Sequence, residues 1–310
     1  MAISIGIDLG GTKTEAVVLR RRDDGGFDVG LRKRIPTEAH RGYEAIVETV
    51  ASFLADFEAE AGLEPGKVPV GIGMPGGITR QGLVKNSNTV CLNGRPFRQD
   101  LARRLGRPVV FENDANCFAL AETLLGAARR YRDGIVFGVI MGTGVGGGVV
   151  VSGRIWQGLH GIAGEWGHHA VFHGSGPDCY CGRRGCLETF VSGPAVEADY
   201  RAGSGKALDL ATIARLRSSD QAAAAAIDGL LEAFGRGLAN VIDILDPTAI
   251  VLGGGVSNLD CLYDEGRERV ARYVFNDELL TPILRNELGD SAGVLGAALL
   301  AMDAPGQVGG

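Results

Sequence analysis

The feature that most constrains the fold is a strand–glycine turn–strand pattern that occurs twice. Runs of β-type residues at 3–8 and 15–19 flank a turn at 9–14, and runs at 135–141 and 147–151 flank a turn at 142–146. The two copies are about 130 residues apart, which is too far for a solenoid repeat. They therefore predict two similar α/β lobes. Glycine supplies 49 of the 310 residues, and glycine is the residue that tolerates tight turns and close backbone contacts.

Between and after these copies, strands and helices alternate, which favours α/β architecture. The uncharged stretch 135–153 has the length of a membrane span, but seven of its 19 residues are glycine. It is therefore predicted to form two strands joined by a turn. The tail 304–310 is expected to be loose. Further strands are predicted at 68–74, 108–111 and 249–252, and helices at 42–61, 101–105, 116–125, 195–202, 207–217, 222–245 and 291–302, the last capped by Asp290 or Ser291.

Charge and cysteine content limit the class of protein. Lys and Arg number 31 against 37 Asp and Glu, which gives a net charge of -6. This balance disfavours binding to nucleic acid or to anionic membranes, because both need a positive field. The first residues lack the basic and apolar regions of a signal peptide. We therefore expect a cytoplasmic protein whose six cysteines do not form a disulfide framework.

Three cysteines lie close together after a histidine and point to a metal. His168, Cys179, Cys181 and Cys186 give the spacing H-x10-C-x-C-x4-C. Three thiolates and one imidazole form a closed tetrahedral zinc set, which is structural because no position is left for water. His169 and His173 are rival ligands, and unligated thiols are the alternative interpretation. The remaining cysteines, Cys91, Cys117 and Cys261, are expected to act as small apolar residues.

The first glycine turn has the composition of a phosphate site. It combines backbone N–H groups at Gly10 and Gly11 with hydroxyls at Thr12 and Thr14 and a cation at Lys13. Asp8, at the end of the preceding strand, could hold Mg²⁺ through water. The spacing matches neither a Walker A loop nor a GxGxxG motif. Two further glycine turns could also meet phosphate, although each could be an ordinary tight turn: Thr143 with Gly144, and Gly254 with Gly255.

Several polar side chains stand where they could reach a substrate. Asp114, between a predicted strand and helix, could accept the proton of a substrate hydroxyl, or it could simply cap the helix at Asn116. Glu165 and Glu188 bracket the metal motif. They could face the hydroxyls of a polyol, or each could simply be solvated. The run 86–88 is either a polar turn or a set of sugar donors.

Taken together, these residues resemble the ROK family of sugar kinases, whose name stands for repressor, open reading frame and kinase. The similarity spans essentially the whole chain, and the CxCGxxGCxE element with the preceding ExGH is highly specific. Within the family the chain looks most like bacterial fructokinases and manno(fructo)kinases. The matching segments are IGIDLGGTKTE, GMPGG, KNSNTVCLNGRPF, ENDANC, MGTGVGGG, GEWGHH, CYCGRRGCLETFVSG, LDPTAIVLGGGVSN and GDSAGVLGAALL.

The resemblance implies a two-lobed actin/hexokinase-like fold of the ribonuclease H type, with a zinc-stabilised loop. The smaller lobe would comprise 1–115 and the helix at 291–303, and the larger lobe 116–290. The implied activity is ATP-dependent phosphorylation of the 6-hydroxyl of a sugar, with ATP, Mg²⁺ and structural Zn²⁺ bound, and the implied assembly is a homodimer. Fructose is the expected substrate. N-acetylglucosamine, N-acetylmannosamine or glucose kinase activity is the alternative, and a non-catalytic sugar-sensing regulator is a more distant one.

The family pattern also implies roles for individual residues. Asp114 matches the catalytic base and Asp8 the residue near Mg²⁺. His168 would bind zinc through one ring nitrogen and sugar through the other, although the spacing to Cys179 is one residue longer than in several relatives, so His169 remains a rival. Sugar-contacting positions are matched by Gly76, Gly77, Asn88, Asn113, Asp114, Glu165, His168 and Glu188, and ATP-contacting positions by Gly10, Gly11, Thr12, Lys13, Thr143, Gly144, Gly254 and Gly255.

The regulators of the family carry a helix-turn-helix domain before the kinase-like part. Here the first predicted strand starts at Ile3, which leaves no room for such a domain in this sequence. A sugar-binding protein without catalysis would be expected to lack the acid, whereas Asp114 is present. A kinase is therefore favoured over a regulator.

Overall fold

The computed structural model describes residues 2–172 and 175–303. By their contacts, these residues divide into two compact units. The first unit contains the described residues up to Ala121, the segment Gln157–Ile162 and the described residues from Asp290 onward. The second contains Glu122–Trp156 and Ala163–Gly289. The rival ligand His173 and the expected loose tail 304–310 lie outside the described residues.

Strands and helices alternate along most of the chain, as predicted. The described strands are β1 (Ala2–Leu9), β2 (Lys13–Arg21), β3 (Phe27–Pro36), β4 (Val70–Met74), β5 (Gly77–Ile78), β6 (Val84–Lys85), β7 (Val110–Asn113), β8 (Ile135–Met141), β9 (Val145–Val151), β10 (Arg154–Ile155), β11 (Ala249–Gly253) and β12 (Ile283–Arg285). The described α-helices are α1 (Tyr43–Glu60), α2 (Phe97–Leu105), α3 (Asp114–Leu124), α4 (Glu188–Val191), α5 (Gly193–Ser204), α6 (Leu210–Leu216), α7 (Gln221–Leu245), α8 (Glu265–Tyr273) and α9 (Ala292–Met302).

The first unit is built on a five-stranded sheet in the order β3-β2-β1-β4-β7. The pairs β1–β2 and β2–β3 are antiparallel, whereas β1–β4 and β4–β7 are parallel. Buried side chains of β1, β2 and β4 form one apolar cluster with α1 and α2. On α1 the buried residues Ile46, Val50, Leu54 and Phe57 recur at the spacing of one helical face.

Helix α9 packs across β1 and β4 in the same unit. Its residues are buried almost throughout, so its sequence is apolar on all sides rather than amphipathic. The approach to β1 is so close that a Cβ atom at Gly6 would lie 2.0 Å from the carbonyl oxygen of Val294. Only glycine fits there, and this contact accounts for part of the high glycine content.

The second unit repeats the arrangement with a sheet in the order β10-β9-β8-β11-β12. Its first two pairings are antiparallel and its last two parallel, as in the first unit. The prediction of two similar α/β lobes is confirmed. Helix α7 forms much of the core, and it begins where Asp220 Oδ1 accepts hydrogen bonds from the N–H groups of Ala222 and Ala223.

The uncharged stretch 135–153 forms β8 and β9, as the sequence predicted. None of the described helices is long and apolar enough to cross a membrane. The sequence did not predict strands β3, β5, β6, β10 and β12 or helices α4 and α8, and α2 starts at Phe97 rather than at residue 101. Ser291 occupies the N-cap position of α9, but its side chain makes no cap hydrogen bond.

Candidate active site

The first glycine turn connects β1 to β2 and is closed by a hydrogen bond from Gly10 N–H to the Lys13 carbonyl, 3.0 Å long. Gly11, Thr12 and Lys13 are exposed, whereas Thr14 is fully buried. The Lys13 ammonium lies 3.6 Å from Asp290 Oδ2 in a solvent-exposed pair. An exposed turn with a cation beside it is suited to bind a phosphate.

Asp8 lies in β1 just before this turn and is partly buried. The pKa of its carboxyl is raised from 3.8 to about 7, mainly by burial and also by the negative charges of Asp114 and Glu15, whereas the positive charges of Lys13 and Arg34 lower it. The two carboxyl groups of Asp8 and Asp114 are therefore close enough to repel one another. A divalent cation would relieve that repulsion, and Mg²⁺ is commonly held by one or two carboxylates together with water. The donor chemistry of Asp8 and Asp114 fits Mg²⁺.

Asn113 fixes the corner between β7 and α3. Its amide nitrogen donates to the carbonyl of Gly76 at 2.9 Å, and its amide oxygen accepts from Ala115 N–H, also at 2.9 Å. Asp114 is the first residue of α3, and its Oδ1 accepts from the N–H of Ala115 at 2.8 Å. The capping role that the sequence left open is thus performed in part by Asn113 and in part by Asp114.

A buried carboxylate supports this corner from behind. Glu112 Oε1 accepts from the N–H of Asn113 at 2.8 Å and from the side-chain amide of Asn116 at 2.9 Å. Its Oε2 accepts from the side-chain amide of Gln157 at 2.5 Å. Because both of its oxygens accept hydrogen bonds, Glu112 is not available to react with a substrate. Its hydrogen bonds instead hold Asn113 and Asn116, on either side of Asp114, in place.

The loop after β6 brings Asn88 to the first glycine turn. A Cβ atom at Gly11 would lie 3.8 Å from Asn88 Oδ1. The loop is held by Asn93, whose side-chain oxygen accepts from Ser87 N–H and whose side-chain nitrogen donates to the Ser87 carbonyl. Gly76 and Gly77 form the entry to β5, which pairs with β6. The predicted sugar positions of the first unit are therefore grouped beside the predicted phosphate turn.

The four predicted zinc ligands lie together in the second unit. The ligand atoms of His168, Cys179, Cys181 and Cys186 all lie within 4.8 Å of one another. Cys181 Sγ is 3.6 Å from Cys186 Sγ, and Cys179 Sγ is 3.7 Å from His168 Nδ1. Thiolates bound tetrahedrally at about 2.3 Å are separated by about 3.8 Å. The set therefore fits zinc in both chemistry and spacing.

The geometry separates the two adjacent histidines. His168 turns Nδ1 towards the cysteines and Nε2 towards the hydroxyl of Tyr180, 3.0 Å away. His169 is not part of the cluster among the described residues; its Nε2 is buried without a hydrogen-bond partner, and burial lowers its pKa. Of the two adjacent histidines, His168 is therefore the one positioned to bind the metal together with the cysteines.

The acids that bracket this cluster lie near Tyr180. The pKa of Tyr180 is raised to about 12, first by desolvation and then by the charges of Glu188, Cys179 and Glu165. Glu165 is exposed, whereas Glu188 accepts a hydrogen bond of 2.8 Å from Val145 N–H through Oε2. One oxygen of Glu188 therefore supports the second glycine turn, a role that its sequence position did not indicate.

The second turn borders a cavity of about 980 Å³ in the second unit. Thr143 and Gly255 lie in its wall, and Gly254 precedes Gly255 at φ 80°. A Cβ atom at Gly254 would lie 2.3 Å from the carbonyl oxygen of Met141, so this turn requires glycine. The cavity is large enough for a small organic ligand such as a nucleoside. Its other lining residues include Gly142, Gly193, Pro194, Glu197, Asp209, Leu210, Val256, Asn258 and Cys261.

Sequence reasoning missed three side chains that the structure brings to these sites. Gln157 binds Glu112, Tyr180 contacts His168, and Thr37 binds the first glycine turn. Tyr180 could have been noticed because it stands between two predicted ligands. The other two are distant in sequence from the groups they touch, and no spacing signals them.

Comparison with known proteins places the chain in a family. The model of the ROK family matches residues 4–304. The chain belongs to the ROK family. An N-acetyl-D-glucosamine kinase of Histophilus somni is 34% identical over 307 residues, which cover 95% of this chain and 97% of the relative. An N-acetyl-D-glucosamine kinase of Aliivibrio salmonicida is 36% identical over 313 residues, covering 95% and 98%.

Solved structures of the family are similar over nearly the whole chain. A ROK hexokinase from Thermus thermophilus has a TM-score of 0.84 at 36% identity, covering 96% of this chain and 97% of that chain. A ROK family glucokinase from Streptomyces griseus, in complex with glucose and AMPPNP, has a TM-score of 0.75 at 28% identity, covering 97% and 99%. The actin/hexokinase-like fold and the assignment to the ROK sugar kinases are confirmed.

Proposed function

We propose that the protein transfers the terminal phosphoryl group of Mg·ATP to the 6-hydroxyl of a hexose, with N-acetyl-D-glucosamine as the preferred substrate. The observation that carries the proposal is the grouping in the first unit of Asp114, Asn113 and Asp8 beside an exposed glycine turn. Phosphoryl transfer needs little covalent chemistry from the protein. It needs an oriented hydroxyl, a bound polyphosphate and a compensating cation.

Asp114 is proposed to orient the attacking hydroxyl and to accept its proton. Its backbone position is fixed by the start of α3 and by the hydrogen bonds of Asn113 on both sides of the corner. A carboxylate held in this way can stay in line with a hydroxyl without losing freedom during the reaction. Asn88, Asn113 and the backbone at Gly76 and Gly77 are proposed to bind other hydroxyls of the sugar.

The polyphosphate is proposed to bind the turn from Gly10 to Lys13, and Mg²⁺ to be held near Asp8. When bound, Mg²⁺ would neutralise the charge that develops on the phosphoryl oxygens. Thr143, Gly144, Gly254 and Gly255 are proposed to contact the nucleotide in the second unit, where Thr143 and Gly255 line the large cavity.

Zinc is proposed to have a structural role, because four protein ligands leave no open position. The cluster directs one ring nitrogen of His168 towards the thiols, so the other nitrogen keeps a defined direction. A sugar hydroxyl is proposed to bind there in place of the Tyr180 hydroxyl, which lies 3.0 Å away. Glu165 and Glu188, which lie near Tyr180, are proposed as further hydroxyl acceptors.

The preference for N-acetyl-D-glucosamine is supported by the names of the curated relatives, several of which are N-acetyl-D-glucosamine kinases at 34–36% identity. Fructose, the substrate expected from the segments at 85–97, 164–168 and 289–294, is the rival. The Thermus hexokinase, also 36% identical, supports a broader hexose range as a further alternative. The cytoplasmic location, expected from the sequence, and the homodimer, implied by the family resemblance, stay predictions.

The test is release of ADP from Mg·ATP in the presence of N-acetylglucosamine, N-acetylmannosamine, glucose, mannose and fructose, with Asp114→Asn as the control enzyme. We expect the highest kcat/KM with N-acetylglucosamine and loss of turnover in the variant. A higher value with fructose would replace the proposed substrate and keep the kinase. Absence of sugar-dependent ADP release with all five sugars would contradict the proposed activity.

A further inference from the structure

We propose that Thr37 is a positioning residue for nucleotide binding, because it turns two carbonyl groups of the first glycine turn away from the phosphates. The proposal deepens the proposed function and rests on the assignment of this turn to the polyphosphate. Thr37 follows the last residue of β3 and is 1% exposed, so it cannot contact a ligand itself.

Thr37 holds the turn at two points. Its hydroxyl donates to the carbonyl oxygen of Gly10 at 2.7 Å, and its N–H donates to the carbonyl oxygen of Thr12 at 3.0 Å. The remaining closure of the turn is the hydrogen bond from Gly10 N–H to the Lys13 carbonyl. Two of the four carbonyls between Gly10 and Lys13 are therefore directed towards the buried side by one residue.

A second buried hydroxyl fixes the direction of the first. Thr14 Oγ1 and Thr37 Oγ1 lie 2.8 Å apart, and Thr14 is fully buried. A hydroxyl has one proton. Because the proton of Thr37 is donated to Gly10, the proton shared between the two threonines must come from Thr14. Thr14 therefore locks Thr37 in the orientation that binds the turn.

The consequence for a ligand is electrostatic. Carbonyl oxygens repel phosphate, whereas successive backbone N–H groups attract it. Within the described part of the chain, the N–H groups of Gly11 and Thr12 have no hydrogen-bond acceptor, and both residues are exposed. The protein's own hydrogen bonds thus hold the turn in a conformation in which N–H donors of Gly11 and Thr12 are exposed and the carbonyl oxygens of Gly10 and Thr12 are engaged. Such preorganisation lowers the ordering cost of binding.

A purely structural role for Thr37 is the competing explanation, since buried hydroxyls also stabilise folds. The two explanations differ in what a variant changes. Loss of a merely structural hydrogen bond lowers the stability of the protein and leaves the affinity for nucleotide unchanged. Loss of a positioning hydrogen bond weakens nucleotide binding and leaves sugar binding unchanged.

The experiment uses the full chain and compares Thr37→Val, which keeps the shape but lacks the hydroxyl, with Thr37→Ser, which keeps the hydroxyl. Affinity for Mg·ADP is measured by titration calorimetry, and steady-state kinetics gives the KM for ATP and for the sugar. We expect Thr37→Val to bind Mg·ADP about tenfold more weakly, with a similar rise in the KM for ATP. We expect Thr37→Ser to stay within about twofold of the wild type.

Thr14→Val provides a second variant if Thr37→Val does not fold, and we expect a loss in the same direction of about threefold. Unchanged affinity for Mg·ADP in either soluble valine variant would overturn the proposal, as would an equal loss in Thr37→Ser or a parallel rise in the KM for sugar. If the wild-type protein binds Mg·ADP but phosphorylates no sugar, the proposed function is contradicted, whereas the role of Thr37 in nucleotide binding can still be tested. A wild-type protein that binds no Mg·ADP would overturn both.

Discussion

The two glycine turns occupy the same place in their sheets, but different groups hold them. Each turn connects two neighbouring antiparallel strands that have equivalent positions in the two sheets. These are β1 and β2 in one unit and β8 and β9 in the other. In the first turn, Thr37 binds carbonyl oxygens. In the second turn, the carboxylate of Glu188 binds the N–H of Val145, and the carbonyl of Gly142 accepts from Gly193 N–H.

This difference shows that similar topology does not imply similar chemistry. A turn that is bound only through its carbonyls keeps its N–H groups for an anion, whereas a turn that is also bound by a carboxylate gives up one N–H and acquires a nearby negative charge. The first turn is thus better suited to phosphate. The second is better suited to neutral groups, through the exposed hydroxyl of Thr143 and the adjoining cavity.

The largest expected effect is a loss of kcat that follows a substitution in the first unit but not one in the second unit. Asp114→Asn in the first unit should lower kcat by about 10² to 10⁴, because the amide cannot accept the proton of the sugar hydroxyl. Glu188→Gln in the second unit should mainly raise the KM for sugar, since an amide oxygen can still accept from Val145. Steady-state kinetics with saturating Mg·ATP measures both variants. Equal losses of kcat in the two would remove the distinction.

The next effect concerns the thiol cluster, which has no counterpart among the described residues of the first unit. Cys186→Ser should abolish stoichiometric zinc and lower the free energy of unfolding by about 3 to 5 kcal/mol, because metal binding is coupled to folding. Elemental analysis and chemical denaturation measure the two quantities. Cys261→Ser, at a cysteine outside the cluster, is the matched control. Full stability in metal-free protein would contradict a structural zinc.

Alanine substitutions at glycines of different turns test whether each glycine is needed for folding or for binding a ligand. Gly254→Ala should cost about 2 to 4 kcal/mol, because φ is 80° and the new methyl would overlap the Met141 carbonyl. Gly255→Ala, where nothing lies within 4 Å, is the control. Gly11→Ala should leave the thermal midpoint unchanged and weaken Mg·ADP binding. A large drop in stability for Gly11→Ala would mean that the first turn also depends on glycine for folding.

The smallest effect is a pH dependence in the first unit. The pKa of Asp8 is raised by burial, Asp114 and Glu15 from 3.8 to about 7. Between these two values the folded state binds more protons than the unfolded state, so stability should fall as pH rises from about 4 to 7. Asp8→Asn should flatten this decline by a few degrees in the thermal midpoint, measured without added magnesium. Asp290→Asn, at an exposed carboxylate, should keep the slope of the wild type, and an equal slope in Asp8→Asn would contradict the assignment.

Much of the fold could be predicted because its strands are apolar and end at glycine turns. The strands that were missed lack that signal. In β3 the sequence FDVGLRKRIP places charges at an exposed sheet edge, so no buried face of period two is visible. Helix α8 buries only Gly266 and Val270, so its sequence is polar and resembles a loop.

The candidate site was predictable where its residues are adjacent in sequence. The cysteine spacing and the pair Asn113 and Asp114 are local patterns, and the choice between His168 and His169 needed only the direction of two side chains. Thr37 and Gln157 were not predictable, because they act on groups 27 and 45 residues away. Thr37 reaches the turn because it directly follows β3, which pairs with β2, whereas Gln157 reaches Glu112 from outside the described strands. No local spacing encodes either contact.

Helix α9 has a consequence for the order in which the molecule is made. The ribosome completes the second unit, Glu122–Trp156 and Ala163–Gly289, before it adds α9. The sheet of the first unit, however, needs α9 to cover β1 and β4. Because domains fold as units during synthesis, the second unit can become native while β1 and β4 still expose an uncovered face. The part of the protein that is translated first therefore acquires its complete core only after α9 has been synthesised.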